Sequence, residues 1–449
     1  MEKSNIRIGF GSKLGFLAAA VGSAVGLGNI WRFPYELGQN GGFAFLIVYL
    51  LCAFLIGWPL MLSEFAIGRM GQSNVAGAFQ NITGTKRWKW VGIMSALCVL
   101  MVIGFYSVVC GWSLEYVFQA ITNQFDDKTH IQLSEAFTNF TTGTWRPIIW
   151  IILFLVINCG IVVGGVQGGI EKTSKALMPL LFVIIVVLGV RAITLPGGLE
   201  GLKFLFSPDF SKITPGVILS AMGQAFFSLS LGMGCMLTYG SYISKDTHLG
   251  QTAFQVVGMD SLISVLCAMT IFPAVFAMGI DPSKGPELVF ITLPNVFNHM
   301  PGGYVWGILF FLLLSIAALT STISMLEVLT AYVSEELKVE RKKTSIVISI
   351  FVVFMAVACS LSMGPWSSVR VLDMNLFDFL DNFTAKILMP LGGIAISIFM
   401  GWVVDKKRRE KELTNEGKLQ LSYLRFYTFL LKFIVPIAIL AVFADQLIR

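Results

Sequence analysis

The chain reads as a succession of long apolar runs separated by short polar loops. Runs long enough to cross a bilayer, about 20 apolar residues each, fall at 12–37, 42–70, 90–120, 146–166, 173–194, 214–240, 250–279, 303–335, 344–363, 379–404 and 426–447. These eleven predict an all-α integral membrane protein, and an odd number places the termini on opposite sides. Composition agrees: charged residues are 13% of 449 and hydrophobic ones 55%, against about 25% charged in soluble domains. No stretch reads as a soluble domain, a Pro/Ser-rich linker or a low-complexity segment.

Basic residues fix the orientation. Lys3, Arg7, Lys13, Arg69, Lys86, Arg87, Lys89, Lys172, Lys175, Lys245, Arg341, Lys342, Lys343 and the cluster at 406–409 fall on one side. The other side holds a sparser set, such as Lys128, Arg191, Lys203, Lys212, Lys284 and Arg370. Positive loops face the cytoplasm, so an inner-membrane protein with a cytoplasmic N-terminus and an extracytoplasmic C-terminus is expected. The net charge of +6 therefore belongs to loops at a lipid bilayer and gives no reason to expect nucleic acid. The first apolar run continues through its glycines, unlike a cleaved signal peptide. The seven cysteines lie scattered in apolar segments without CxxC spacing, which points to packing rather than disulfides or metal.

Two interruptions carry the chemistry. Gly22-Ser23-Ala24-Val25-Gly26-Leu27-Gly28-Asn29 breaks the first span and runs into Ile30-Trp31-Arg32-Phe33-Pro34. A bilayer has no water to satisfy freed backbone groups, so a broken helix persists only where it lines a cavity or binds something. Loosened carbonyls suit a cation, and a half-helix N-terminus suits an anion. The second break, Ser228-Leu229-Ser230-Leu231-Gly232-Met233-Gly234, lies in the sixth span. Five spans separate the two, so matching segments run in opposite directions, the pattern of an inverted repeat around a midplane site. The expected layout is a 5+5 inverted repeat with discontinuous helices 1 and 6, plus an eleventh helix. Residues 1–200 would form the first repeat and 201–410 the second, with an extracellular loop near 281–300. Residues 411–449 would supply the loop end and helix 11.

With both breaks in view, the chain resembles the neurotransmitter:sodium symporters, in their bacterial eleven-helix amino-acid branch. The resemblance runs from Arg7 to about Trp402 and rests on several motifs. They are Gly26–Pro34, Gly57-Trp58-Pro59-Leu60 to Glu64, Gly68-Arg69, Gly223-Gln224-Ala225-Phe226-Phe227-Ser228-Leu229-Ser230 and Ala317-Ala318-Leu319-Thr320-Ser321. It implies two sodium ions and no organic cofactor. One ion would meet the carbonyls of Gly22, Val25 and Ala317 and the hydroxyls of Thr320 and Ser321. The other would take the Ala24 carbonyl, the Asn29 side-chain oxygen, Ser228, Asp260 and the substrate's carboxylate. Sodium suits such cages of hard oxygens.

Asp260 departs from the pattern, since many relatives carry a neutral asparagine there. The chloride-type polar positions of the family are matched by Tyr49, Gln224, Ser228 and Ser264, yet a fixed carboxylate stands beside them. Two anions in one low-dielectric pocket repel strongly, so chloride independence is expected. The same carboxylate is a candidate proton carrier on the return step.

Amine-transporting relatives have an aspartate where this chain has Gly26, so the resemblance implies a substrate that brings its own carboxylate. That group would meet the second sodium, the amides of Leu27 and Gly28 and the Tyr106 hydroxyl. The ammonium would meet carbonyls near Ala24 and Phe227, with Ser230 close by. Ser23, Val102, Phe227, Met233, Ser321 and Met325 would surround the side chain, and the adaptable methionines favour a broad hydrophobic and aromatic range. Arg32 and Asp381 match the outer gate over an aromatic lid of Tyr106 and Phe227. Arg7 and Glu335, the latter in place of the usual aspartate, match the inner one, braced by Ser241 and Tyr242. Glu64 is expected to cap backbone groups freed at Gly232–Gly234, because an unpaired glutamate inside a span is expensive. Gly169 and Pro179 bracket the start of the fifth span and allow either local unwinding or an ordinary kinked start. Glu327 has no evident role.

The expected activity is sodium-driven import of neutral hydrophobic or aromatic L-amino acids by alternating access. No nucleotide loop, metal-ligand cluster or nucleophile–base pair suggests an enzyme, and no oligomer is predicted. The alternatives are a proton-coupled or coupling-free exchanger of the same fold, and, outside that class, an amino-acid sensor or leak channel.

Overall fold

The computed structural model describes residues 9–207, 209–277, 288–298 and 300–448. Among these, apolar runs become helices, because a helix satisfies its own backbone where lipid offers no hydrogen bonds. Nine helices are each long and apolar enough to span: Phe43–Gly71, Lys86–Ile121, Trp145–Val163, Val166–Ile193, Leu249–Ala277, Gly303–Leu337, Arg341–Ser362, Leu376–Val403 and Leu424–Ala441. They are the second to fifth and seventh to eleventh spans. The first span is the pair Lys13–Ala24 and Gly28–Gln39, bent by 52°. The sixth is split into Pro215–Ser228, of 14 residues, and Cys235–Gly240, of 6, neither able to cross alone. The protein is thus an all-α membrane protein with discontinuous helices 1 and 6 in a 5+5 inverted repeat, plus an eleventh helix.

Burial sorts the spans. The second, third and eighth are mostly enclosed, whereas the fourth, fifth and eleventh expose most of their apolar surface, as lipid-facing helices do. The third and eighth pack along each other, with the Ser315 hydroxyl 3.0 Å from that of Ser113. Both broken spans lie against this central pair. Among the described residues, the segment 288–300 includes an apolar helix at Val289–Asn298. Residues 281–287 of the expected extracellular loop lie outside the described set.

Local chemistry explains the second break. Ser230, Gly232 and Gly234 have φ of 53°, 80° and 80°, a left-handed conformation that glycine adopts without strain. At Gly232 a side chain would also overlap the Met389 carbonyl oxygen. Glu64, fully buried, accepts from the Gly232 N–H at 2.8 Å and the Leu237 N–H at 3.3 Å, and the Ser95 hydroxyl donates to the Gly232 carbonyl at 3.1 Å. The cap expected from sequence therefore reaches one residue into the break and one beyond it. At the start of the fifth span the helix is continuous from Val166 to Ile193, with a widened π-helical turn at Val166–Glu171 and Pro179 inside it. Of the two sequence readings, this is the ordinary helix.

Candidate functional site

The two breaks meet at an enclosed cavity lined by Ala24, Gly26, Gly28, Asn29, Val102, Tyr106, Phe227, Ser228, Ser230, Met233, Ser321 and Met325. None of these side chains is charged. Eleven of them were singled out from the sequence as substrate or cation contacts, and Gly26 as the place where amine-transporting relatives carry an aspartate. Ser23 and Leu27 are not in the lining. The Ser23 hydroxyl bonds that of Ser324 at 2.7 Å, and its carbonyl accepts from Ser230 at 3.0 Å. Leu27 contributes its backbone, donating N–H to the Tyr106 hydroxyl at 2.9 Å. A Cβ on Gly26 would lie 2.5 Å from the Ser321 Oγ and 2.8 Å from the Tyr106 hydroxyl, so a larger residue there would have to displace these two side chains.

One end of the cavity is a dense polar knot around Asp260, which is wholly buried. Its carboxylate accepts from the Asn29 Nδ2 at 2.7 Å, the Ser228 hydroxyl at 2.8 Å and the Tyr49 hydroxyl at 3.2 Å. Asn29 also donates to Ser264 at 2.8 Å. The expectation that Asn29 presents its oxygen here is corrected: that oxygen accepts from the Gly26 N–H at 2.8 Å. The physical reason is charge, because a carboxylate draws the amide's N–H end toward itself. Of the four chloride-type positions, Tyr49 and Ser228 donate to the carboxylate and Ser264 stands 3.5 Å from Tyr49. Gln224 turns away and donates to the Gly28 carbonyl at 3.1 Å.

The opposite wall brings together the other predicted oxygens. The Ser321 hydroxyl lies 3.1 Å from the Val25 carbonyl and 3.5 Å from that of Gly22. The Thr320 hydroxyl bonds back to the carbonyls of Ile316 and Ala317, each at 3.1 Å. Carbonyls freed by the first break thus face hydroxyls of the eighth span, an arrangement of hard oxygens suited to a small cation.

Tyr106 and Phe227 separate this cavity from a larger one of about 470 Å³, which Arg32, Trp112, Phe377 and Asp381 also line. Arg32 lies over the Phe227 ring at 4.7 Å and within 4.0 Å of Glu36. Arg32 and Asp381, the pair expected to form the outer gate, both line this larger cavity and make no direct ion pair among the described residues. Arg32 instead has Glu36 one helical turn away. At the basic end, Arg7 lies outside the described residues. Glu335 accepts from the Asn74 N–H at 2.6 Å and the Ser73 hydroxyl at 3.2 Å. The Ser241 hydroxyl turns back to the Thr238 carbonyl at 2.6 Å.

Two further groups tie up this end, and sequence reasoning missed both. Glu327, fully buried, accepts from the Tyr242 hydroxyl at 2.6 Å and from both terminal nitrogens of Arg341, Nη1 at 2.6 Å. Glu171 accepts from the Gly11 N–H at 2.6 Å, the Ser12 hydroxyl at 2.8 Å and Lys175 at 2.6 Å. Phe10 closes the space between, edge-on to Phe16, Tyr239 and Tyr242. The available signal was the expense of a carboxylate inside a span. The partner became visible only in three dimensions.

Broken helices around an uncharged pocket, with separate closures above and below, define a membrane transporter. The comparisons with known proteins agree. The model of the sodium:neurotransmitter symporter family matches residues 7–142 and 123–449. A Bacillus subtilis protein described as an uncharacterized sodium-dependent transporter is 36% identical, over 97% of this chain and 96% of its own length. The Drosophila melanogaster sodium-dependent serotonin transporter is 28% identical, over 97% and 75%. The crystal structure of MhsT in complex with L-phenylalanine superposes with a TM-score of 0.91 at 43% identity, covering 98% of this chain and 99% of that one. The chain belongs to the sodium:neurotransmitter symporter family. It is a multi-pass, sodium-coupled transporter and not an enzyme.

Proposed function

We propose that the protein imports neutral hydrophobic and aromatic L-amino acids, driven by two sodium ions and without need of chloride. The observation that carries this reading is the lining of the central cavity, which has no charged side chain, with glycine at position 26 against Ser321 and Tyr106. An ionised ligand there must bring both charges of a zwitterion. Its carboxylate would meet the Leu27 and Gly28 amides, the Tyr106 hydroxyl and a sodium held by Ala24, Ser228 and Asp260. Its ammonium would meet the carbonyls near Ala24 and Phe227, close to Ser230. The second sodium would sit among Gly22, Val25, Ala317, Thr320 and Ser321. Val102, Phe227, Met233 and Met325 offer an apolar, adaptable surface for the side chain. The phenylalanine-bound neighbour supports the substrate class.

Asp260 supports chloride independence, since its carboxylate already receives hydroxyls of the kind that would hold an anion. The basic end would face the cytoplasm of a cell whose inner membrane holds the protein. Alternation would then open the larger cavity outward, or release Phe10 and the Glu327 and Glu171 contacts inward. Uptake of labelled tryptophan and leucine into proteoliposomes tests the proposal, with and without an inward sodium gradient and with chloride replaced by gluconate. Sodium-driven, chloride-indifferent accumulation is expected. Uptake indifferent to sodium would overturn the cation sites, and exclusion of both substrates would overturn the pocket reading.

A further inference from the structure

At the basic end, a corner of the surface combines unpaired positive charge with exposed indoles. The helix Lys406–Leu413 is capped by Asp405, which accepts from the N–H groups of Lys407 at 2.9 Å and Arg408 at 3.2 Å. The Arg408 guanidinium donates to the Ile82 carbonyl at 2.5 Å. That bond pins the helix against the turn containing Lys86 and Arg87. Lys86, Arg87 and Lys407 are exposed and make no ion pair among the described residues. Their neighbours are engaged elsewhere: Lys89 pairs with Glu336 at 2.5 Å, Lys406 with Glu410 at 3.9 Å, and Arg409 caps the Met400 carbonyl at 2.6 Å. Of this corner's cations, Lys86, Arg87 and Lys407 are thus left without a side-chain ion pair among the described residues.

The apolar half lies directly beside it. Trp88 packs on Phe399 at 5.3 Å and stacks with Trp90 at 6.5 Å. Trp90 is 52% exposed, and indoles of this kind sit at the headgroup level of bilayers. Ile93 and Leu97, also exposed, continue the Trp90 face of the third span toward the bilayer centre. Cations, then indoles, then aliphatic side chains follow one another as the phosphate, glycerol and chains of a phospholipid do.

We propose that Lys86, Arg87, Lys407 and Arg408 hold the phosphate of an anionic glycerophospholipid whose chains lie against Trp90, Ile93 and Leu97. The site is separate from the substrate cavity, so it stands or falls independently of the transport reading.

The test is native mass spectrometry of the full chain in detergent, incubated with equal amounts of phosphatidylglycerol and phosphatidylcholine. Wild type is expected to retain phosphatidylglycerol in preference. Each basic residue near a membrane surface contributes about a fivefold factor toward anionic lipid, so K86Q/R87Q/K407Q is expected to retain roughly a hundredfold less. K342Q/K343Q, which removes two exposed charges at the same end, is expected to behave as wild type. Equal retention by the triple variant, or equal loss in the control, would overturn the site. Glycerol phosphate in large excess is expected to leave the lipid bound, and displacement by it would overturn the role of the indoles. R87Q alone, about fivefold weaker, keeps the test decisive should the triple variant be unstable.

Discussion

Replacing Asp260 by asparagine removes one charge and almost no volume at a wholly buried polar point of the protein. In the structure this carboxylate accepts three hydrogen bonds, from Asn29, Ser228 and Tyr49. On the proposed reading it is also the only fixed negative charge beside a bound sodium. Unit charges about 4 Å apart at an effective dielectric near 20 interact by about 4 kcal/mol, which corresponds to roughly a thousandfold in binding. The hydroxyl of Ser228 and the carbonyl of Ala24 remain, so sodium affinity in gluconate is expected to fall about 100- to 1000-fold. Chloride should then recover most of the loss, because the hydroxyls of Tyr49, Ser228 and Ser264 are left facing an uncharged amide and can donate to an anion. Sodium titrations of amino-acid binding, run in gluconate and in chloride on wild type and D260N, measure both effects. An unchanged sodium dependence in gluconate, or a loss that chloride does not relieve, would refute the reasoning.

Three other perturbations separate the parts of the site. Ser321→Ala removes the hydroxyl between the Gly22 and Val25 carbonyls and is expected to weaken sodium-stimulated binding about tenfold, the worth of roughly one hydrogen bond at the upper end of its range. Thr322→Ala, whose hydroxyl bonds back within its own helix, should leave that binding unchanged. Gly26→Ala places a methyl group against Ser321 and Tyr106, so amino-acid uptake is expected to be lost while the melting temperature stays near wild type. Glu327→Gln strands Arg341, and breaking a buried pair costs about 3–5 kcal/mol. Because the Arg341 side chain is 31% exposed, the lower end of that range is expected, seen as a reduced melting temperature that E327L/R341L partly restores.

The amino-acid sequence by itself determined the membrane class, the eleven spans and the positions of both breaks. Apolar runs, glycines and intramembrane polar residues each carry a solvation cost that lipid makes unambiguous. The Glu64 cap was legible for the same reason, since a lone carboxylate in a span must find donors and the glycine break supplies them. Other features were decided only by tertiary structure. Asn29 turns its nitrogen toward Asp260 because a neighbour 231 positions away is charged. Arg32 rests over the Phe227 ring, contributed by a helix far along the chain, and near Glu36. Glu327 remained unexplained along the chain, because Tyr242 and Arg341 reach it from two other segments. Local sequence sets which groups must be satisfied, whereas the packing of distant helices chooses the partner that satisfies each one.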